Sequence, residues 1–183
     1  GRLISYQDWN TGDVAIHNMV TGKDRQLTNK GSWAESNDYA GYSLFSPDSK
    51  QVAYTWRIWS KNQTELRIIG TDGSQSRVIY KGDDSWPVSW SSNGKYILVK
   101  LMNKDQTWRP AIITVADSSV QDLAFQISGA MCFSPDGKYI AYDTPQIKAV
   151  QQRDVYLYEI STKRPFAMVK QPADDGLRGW APD

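Results

Sequence analysis

Apolar and polar positions alternate along this chain in short runs. Asp13 to Met19, Glu65 to Ile69, Ala111 to Val115 and Asp154 to Ile160 each read as one apolar face and one polar face with a period of two. No stretch holds a helical period for about 11 residues or more. Between the alternating runs lie turn-forming residues, among them Thr21-Gly22, Asp72-Gly73, Asp117-Ser118 and Ser161-Thr162. The pattern predicts short antiparallel strands joined by tight turns.

The pattern also repeats. Phe45-Ser46-Pro47-Asp48-Ser49-Lys50-Gln51-Val52-Ala53-Tyr54 returns as Trp90-Ser91-Ser92-Asn93-Gly94-Lys95-Tyr96-Ile97-Leu98-Val99, then as Phe133-Ser134-Pro135-Asp136-Gly137-Lys138-Tyr139-Ile140-Ala141-Tyr142. Trp180 to Asp183 matches its front half and Gly1 to Tyr6 its back half. The copies stand about 45 residues apart, the period of a four-stranded propeller blade. Within each copy, strand A ends at the aromatic residue before the turn (Phe45, Trp90, Phe133, Trp180). Strand B follows at 2–7, 50–56, 95–101 and 138–143, strand C is the alternating run, and strand D lies near 24–28, 76–81, 121–126 and 165–170. The expected fold is all-β: a single β-propeller domain, part of a larger ring, with four antiparallel blades of four strands over repeats at about 1–48, 49–93, 94–136 and 137–183. Strand B at 2–7 has no preceding A, and strand A at 177–180 has no following B. Two expectations follow: either further blades belong to the ring, or the half-motifs meet, within one chain or across a homodimer. In the repeated turn Pro presets φ, the Asp carboxylate bonds backbone N–H groups, and Gly accepts positive φ. Asp48, Asp136 and Asp183 are assigned that local role. Ser49 stands where Gly94 and Gly137 stand elsewhere and is expected to be strained.

The motif resembles the WD40-like repeat of TolB-type propellers. It is also similar to the N-terminal propellers of the prolyl-oligopeptidase and dipeptidyl-peptidase families. The chain departs from it at Ser49, Ser92-Asn93 and Ala181, and it lacks the Gly-His and Trp-Asp pairs of eukaryotic WD40 blades. The resemblance implies a ring of six or more blades and, for TolB-like propellers, an extracytoplasmic bacterial setting.

Composition narrows the function. A net charge of +1 leaves no electrostatic footprint for nucleic acid or an anionic membrane. No apolar run approaches the roughly 18 residues of a spanning helix. One Cys forms no intramolecular disulfide, and one His with one Cys does not build a zinc site of the usual ligands. No metal or cofactor is expected. His17 occupies the strand-C slot filled by Tyr158, Ile113 and Ile68 or Ile69 in the other repeats, a packing slot. Cys132 precedes Phe133 in an inner strand and reads as a buried, inert thiol. There is no Gly-x-Ser-x-Gly elbow and no Walker-type loop.

The candidate site is aromatic. Of eight Trp, Trp90 and Trp180 belong to the motif. Trp9, Trp59 and Trp108 fall in or beside B-to-C connections, Trp56 ends a strand B, and Trp33 and Trp86 fall in D-to-A connections; all six are expected near one face. Arg57, Arg109 and Arg153 lie in or beside the B-to-C segments. The pairs Asp83-Asp84 and Asp174-Asp175 lie in D-to-A connections, where oxygen ligands suit a hard cation or a cationic ligand. Trp and Arg bury much area at low entropic cost, so this set reads as a binding face. The expected function is a non-catalytic scaffold for a protein, peptide or glycan. One alternative is a gating propeller of a larger serine peptidase, and a second is a lyase or hydrolase acting in the channel.

Overall fold

A computed structural model describes residues 1–31, 33–127, 129–144 and 152–181. Pro182 and Asp183, the end of the last motif, lie outside the described residues. Among these residues fifteen strands form four antiparallel sheets. The first holds β1 (Leu3–Asp8), β2 (Asp13–Asn18) and β3 (Lys23–Gln26), and has three strands. The second holds β4 (Tyr39–Phe45), β5 (Gln51–Ile58), β6 (Gln63–Gly70) and β7 (Arg77–Gly82). The third holds β8 (Ser85–Trp90), β9 (Tyr96–Met102), β10 (Trp108–Thr114) and β11 (Val120–Asp122). The fourth holds β12 (Met131–Phe133), β13 (Tyr139–Asp143), β14 (Val155–Glu159) and β15 (Arg164–Val169). In every sheet strand order follows chain order, the meander of a propeller blade. The only helical element among the described residues is a single 3-10 turn, Trp59–Lys61.

Strand A ends at Phe45, Trp90 and Phe133 as the motif predicts. Trp180 departs from that expectation. Residues 171–181 form no strand. Cys132 is half-buried, and burial pushes its thiol pKa up, against a smaller opposing effect of the Trp180 side chain.

The repeated turn is one hydrogen-bond circuit built three times. Ser46 Oγ donates to Asp48 Oδ1 at 2.7 Å, Asp48 Oδ1 accepts the Lys50 N–H at 3.1 Å, and Ser46 Oγ accepts the Gln51 N–H at 2.9 Å. Ser134, Asp136, Lys138 and Tyr139 repeat it at 2.6, 3.0 and 2.9 Å. Ser91, Asn93, Lys95 and Tyr96 do so at 2.8, 2.9 and 2.9 Å, with an amide oxygen in place of the carboxylate. The next residue is left-handed in all three: Ser49 at φ 58°, Gly94 at 73° and Gly137 at 70°.

The chain divides into two compact units, Gly1–Pro87 with Leu101–Gln106, and Val88–Lys100 with Thr107–Asp183. In the first unit Val14, Ile16 and Leu27 pack with Ala40, Val52, Tyr54, Trp56 and Ile69 between the first two sheets. In the second, Leu98, Ile112 and Leu123 pack with Met131, Phe133, Ile140, Tyr142 and Tyr158. Each Val, Leu, Ile, Phe or Met among them contributes about 1.5–3 kcal/mol when fully buried.

His17 lies opposite Ile4, as Ile69 lies opposite Val52 and Tyr158 opposite Ile140. The slot is therefore the one expected, with Ile69 its counterpart in the second repeat. Its side chain is not packed in a core, however. It is half-exposed, with Nδ1 2.9 Å from Asp24 Oδ1, because the cross-strand neighbour of His17 is Asp24.

Candidate functional site

A pocket of about 310 Å³ opens on the second sheet, within the first unit. Its floor is the face of that sheet, with Gly41 on β4, Thr55 and Arg57 on β5 and Thr64 on β6. Tyr39, Tyr42, Trp59 and Trp86 form aromatic walls, and Asp84 lies at the rim.

The backbone prepares this pocket at two points. Gly41 has no side chain to spare: a Cβ there stands 2.9 Å from Thr55 Oγ1. The register between β4 and β5 then slips between Gly41 and Ser43, so Tyr42 is an extra, unpaired residue. Such a bulge redirects the side chain it carries. Tyr42 is 55% exposed and stacks on Trp86, ring centroids 4.5 Å apart at 29°.

The rim is braced by hydrogen bonds. Asp38 Oδ1 accepts the Trp59 N–H at 2.8 Å, fixing the 3-10 turn on which the Trp59 ring stands 58% exposed. Arg57 Nη1 donates to the Asp83 carbonyl at 3.0 Å and to Thr64 Oγ1 at 3.3 Å, and Nη2 donates to Asn62 Oδ1. Asp84 Oδ1 accepts the Ser85 N–H at 2.8 Å and lies 3.4 Å from Thr64 Oγ1. A second aromatic group adjoins the pocket through Tyr39. Trp9 and Trp33 stack at 5.7 Å and 11°, Trp33 meets Tyr39 at 5.3 Å, and the Trp33 indole N–H donates to the Trp9 carbonyl at 2.9 Å. Trp9 is 74% exposed.

Of the aromatic residues singled out by sequence, Trp9, Trp33, Trp59 and Trp86 thus come together in one band. Trp86 does so from strand β8 rather than from the preceding connection. Trp56 does not belong to it. It is 3% exposed in the core, with the Arg67 guanidinium 5.1 Å above its ring, because it shares a strand face with Val52 and Tyr54. Tyr39, Gly41, Tyr42 and Thr55 were not anticipated.

The remaining candidates lie in the second unit. Trp108 is half-buried at the start of β10. Arg109 pairs with Asp122 across β10 and β11. Arg153 grips Asp174 through Nε at 2.9 Å, Nη2 at 2.8 Å and its backbone N–H at 3.0 Å. Those bonds hold the Asp174 carboxyl below its ordinary pKa and the Arg153 guanidinium above. Asp175 bonds Arg153 and Gln171. The acidic pairs thus hold the D-to-A connections in place. Among the described residues no three His, Cys, Asp or Glu side chains gather as metal ligands would. Among the described residues no helix is long and apolar enough to cross a membrane.

No protein-family model matches the chain, and neither does any curated protein sequence. Solved structures do. TolB from Acinetobacter baumannii aligns with 96% of this chain and 42% of its own, at TM-score 0.67 and 20% identity. The β-propeller domain of the trilobed protease from Pyrococcus furiosus aligns with 93% of this chain and 55% of its own, at 0.69 and 15%. A structure from work on two prolyl endopeptidases aligns with 88% and 26%, at 0.65 and 16%. The chain spans less than two thirds of each of them. At such identities the likeness is one of fold, and the fold is a TolB-like β-propeller, as the repeated turns imply.

Proposed function

We propose that this chain is a non-catalytic propeller module that captures a protein, peptide or glycan on the aromatic band around the Trp59–Trp86 pocket. The observation that carries the reading is the exposure of Trp59 and Tyr42, each more than half open to solvent on a backbone held in place. Water-exposed aromatic area is unfavourable unless a partner covers it, and rigid aromatic rings lose little entropy on being covered. The test is capture by the immobilised chain from peptide and oligosaccharide libraries. Trp59→Ala/Trp86→Ala should lose what the unaltered chain retains, at an unchanged circular dichroism spectrum. Equal capture by both removes the reading.

The likeness to peptidase propellers supports a second reading, a gating propeller in a larger serine peptidase. A coding sequence that runs on into a Gly-x-Ser-x-Gly segment is its test. The likeness to TolB supports an extracytoplasmic setting, which fractionation of cells expressing the full-length protein checks.

A further inference from the structure

Resting on the binding reading above, we infer that the pocket takes one ring of an uncharged sugar, the hexopyranose of a neutral glycan. Arg57 and Asp84 both line the pocket, so a ligand of either net charge meets a like charge. Three of the five N–H donors of Arg57 are spent on neutral acceptors, the Asp83 carbonyl, Thr64 and Asn62. Asp84 accepts the Ser85 N–H, and the Thr64 hydroxyl at 3.4 Å, on its Oδ1. The pocket therefore offers hydrogen-bond donors and acceptors side by side with no net charge, the need of a polyhydroxylated ring rather than of an ion.

Shape agrees. The walls are aromatic rings, and an exposed ring face matches the apolar C–H face of a pyranose, with a negative quadrupole toward its polarised C–H groups. The volume of about 310 Å³ sits at the small end of ligand clefts, roughly 300–1,000 Å³, enough for a ring and not for a long segment. A peptide adding to the sheet would need an open strand edge, whereas the floor here is the sheet face between the paired strands β4, β5 and β6.

The test incubates the labelled 183-residue chain with printed neutral oligosaccharides, with uronate-bearing and sialylated ones, and with arginine-containing and proline-rich peptides. The expected result is retention on neutral glycans, changing less than about twofold between about 50 and about 500 mM NaCl. Trp59→Ala and Asp84→Asn should each weaken it by about tenfold, the size of a modest hot spot. Both positions are exposed or at the rim, and a melting curve confirms that each variant folds. Retention on charged glycans only, or on peptides only with loss in Trp59→Ala, overturns the sugar assignment and leaves the binding face standing. Retention on nothing, or retention indifferent to Trp59→Ala and Trp86→Ala, overturns both.

Discussion

Ser49→Gly should stabilise this protein, although it removes a side chain. The repeated turn supplies its own controls. At the left-handed position the chain uses Gly94 and Gly137 in two copies and Ser49 in the third, at φ 73°, 70° and 58°. The closing bonds are equal: Ser49 N–H to the Ser46 carbonyl at 2.8 Å, Gly94 to Ser91 at 2.8 Å and Gly137 to Ser134 at 2.9 Å. Ser49 is exposed, and its hydroxyl makes no hydrogen bond among the described residues. At this position the copies differ in whether a left-handed residue carries a Cβ. A residue with a Cβ incurs about 1–2 kcal/mol in the left-handed region. Glycine returns about 0.4–1 kcal/mol of that through a more flexible unfolded chain. The difference predicts a net gain of about 0.5–1 kcal/mol.

The assay is urea unfolding followed by tryptophan fluorescence. With an m-value of about 2 kcal/mol/M, Ser49→Gly should raise the midpoint by about 0.25–0.5 M at constant slope. The reverse change, Gly94→Ser, should lower it by a similar amount. A Cβ at Gly94 meets nothing within 4 Å, so that variant tests the dihedral penalty alone. If Ser49→Gly lowers the midpoint or leaves it in place, or if Gly94→Ser is silent, the turn tolerates a Cβ for reasons this reasoning lacks.

Three further outcomes are expected. The Ser134 hydroxyl, then the Lys138 N–H, hold the Asp136 carboxyl below its ordinary pKa. Its stabilising contribution is thus complete above the unfolded value of about 3.9 and is lost as pH falls through the lower folded one. Asn93 does the same work with an amide, so Asp136→Asn should melt like the parent at pH 7 and lose less between about pH 5 and pH 2; parallel acid limbs in the two melting series would contradict this. Gly41→Ala should cost about 1–3 kcal/mol through its 2.9 Å clash with Thr55 Oγ1, and Gly41→Ala/Thr55→Ala should recover most of it; additive costs in a double-mutant cycle would rule the clash out. Glu65 resists the burial that would raise its pKa because Lys81 and Arg67 bond it, at 2.9 and 2.6 Å. Glu65→Ala should therefore cost about 3 kcal/mol in urea unfolding, by leaving the Arg67 guanidinium over Trp56 without its carboxylate; a loss below about 1 kcal/mol would mean that solvent or another group takes over the pairing.

The blades were legible in the sequence because two independent periods agree, alternation within a strand and the turn motif about 45 residues apart. The strain at Ser49 was legible for the same reason, since the other copies state what the position requires. Trp56 was misread as a member of the binding face because it was placed by its nearness to a connection. Alternation alone puts it with Val52 and Tyr54, and that face is the core. Trp86 was set one element too early, since strand β8 begins at Ser85, two residues after the Asp83 carbonyl that Arg57 holds.

Tyr42 marks where sequence reading stops. Alternation from Tyr39 through Gly41 runs at period two, and the extra residue at the bulge shifts Ser43 onto Tyr54 and Phe45 onto Val52. Nothing in the order Gly41-Tyr42-Ser43 announces that shift, because it satisfies a pairing constraint set by β5. Only the pairing shows that Tyr42 leaves the ladder and stacks on Trp86 in the pocket wall. The same geometry ties the exposed ring to the core. Repairing the bulge would move the β4 residues before it by one position and turn their side chains to the opposite face. Ala40, 1% exposed in the core of the first unit, would then leave it, so the aromatic wall and the packing beneath it stand or fall as one structure.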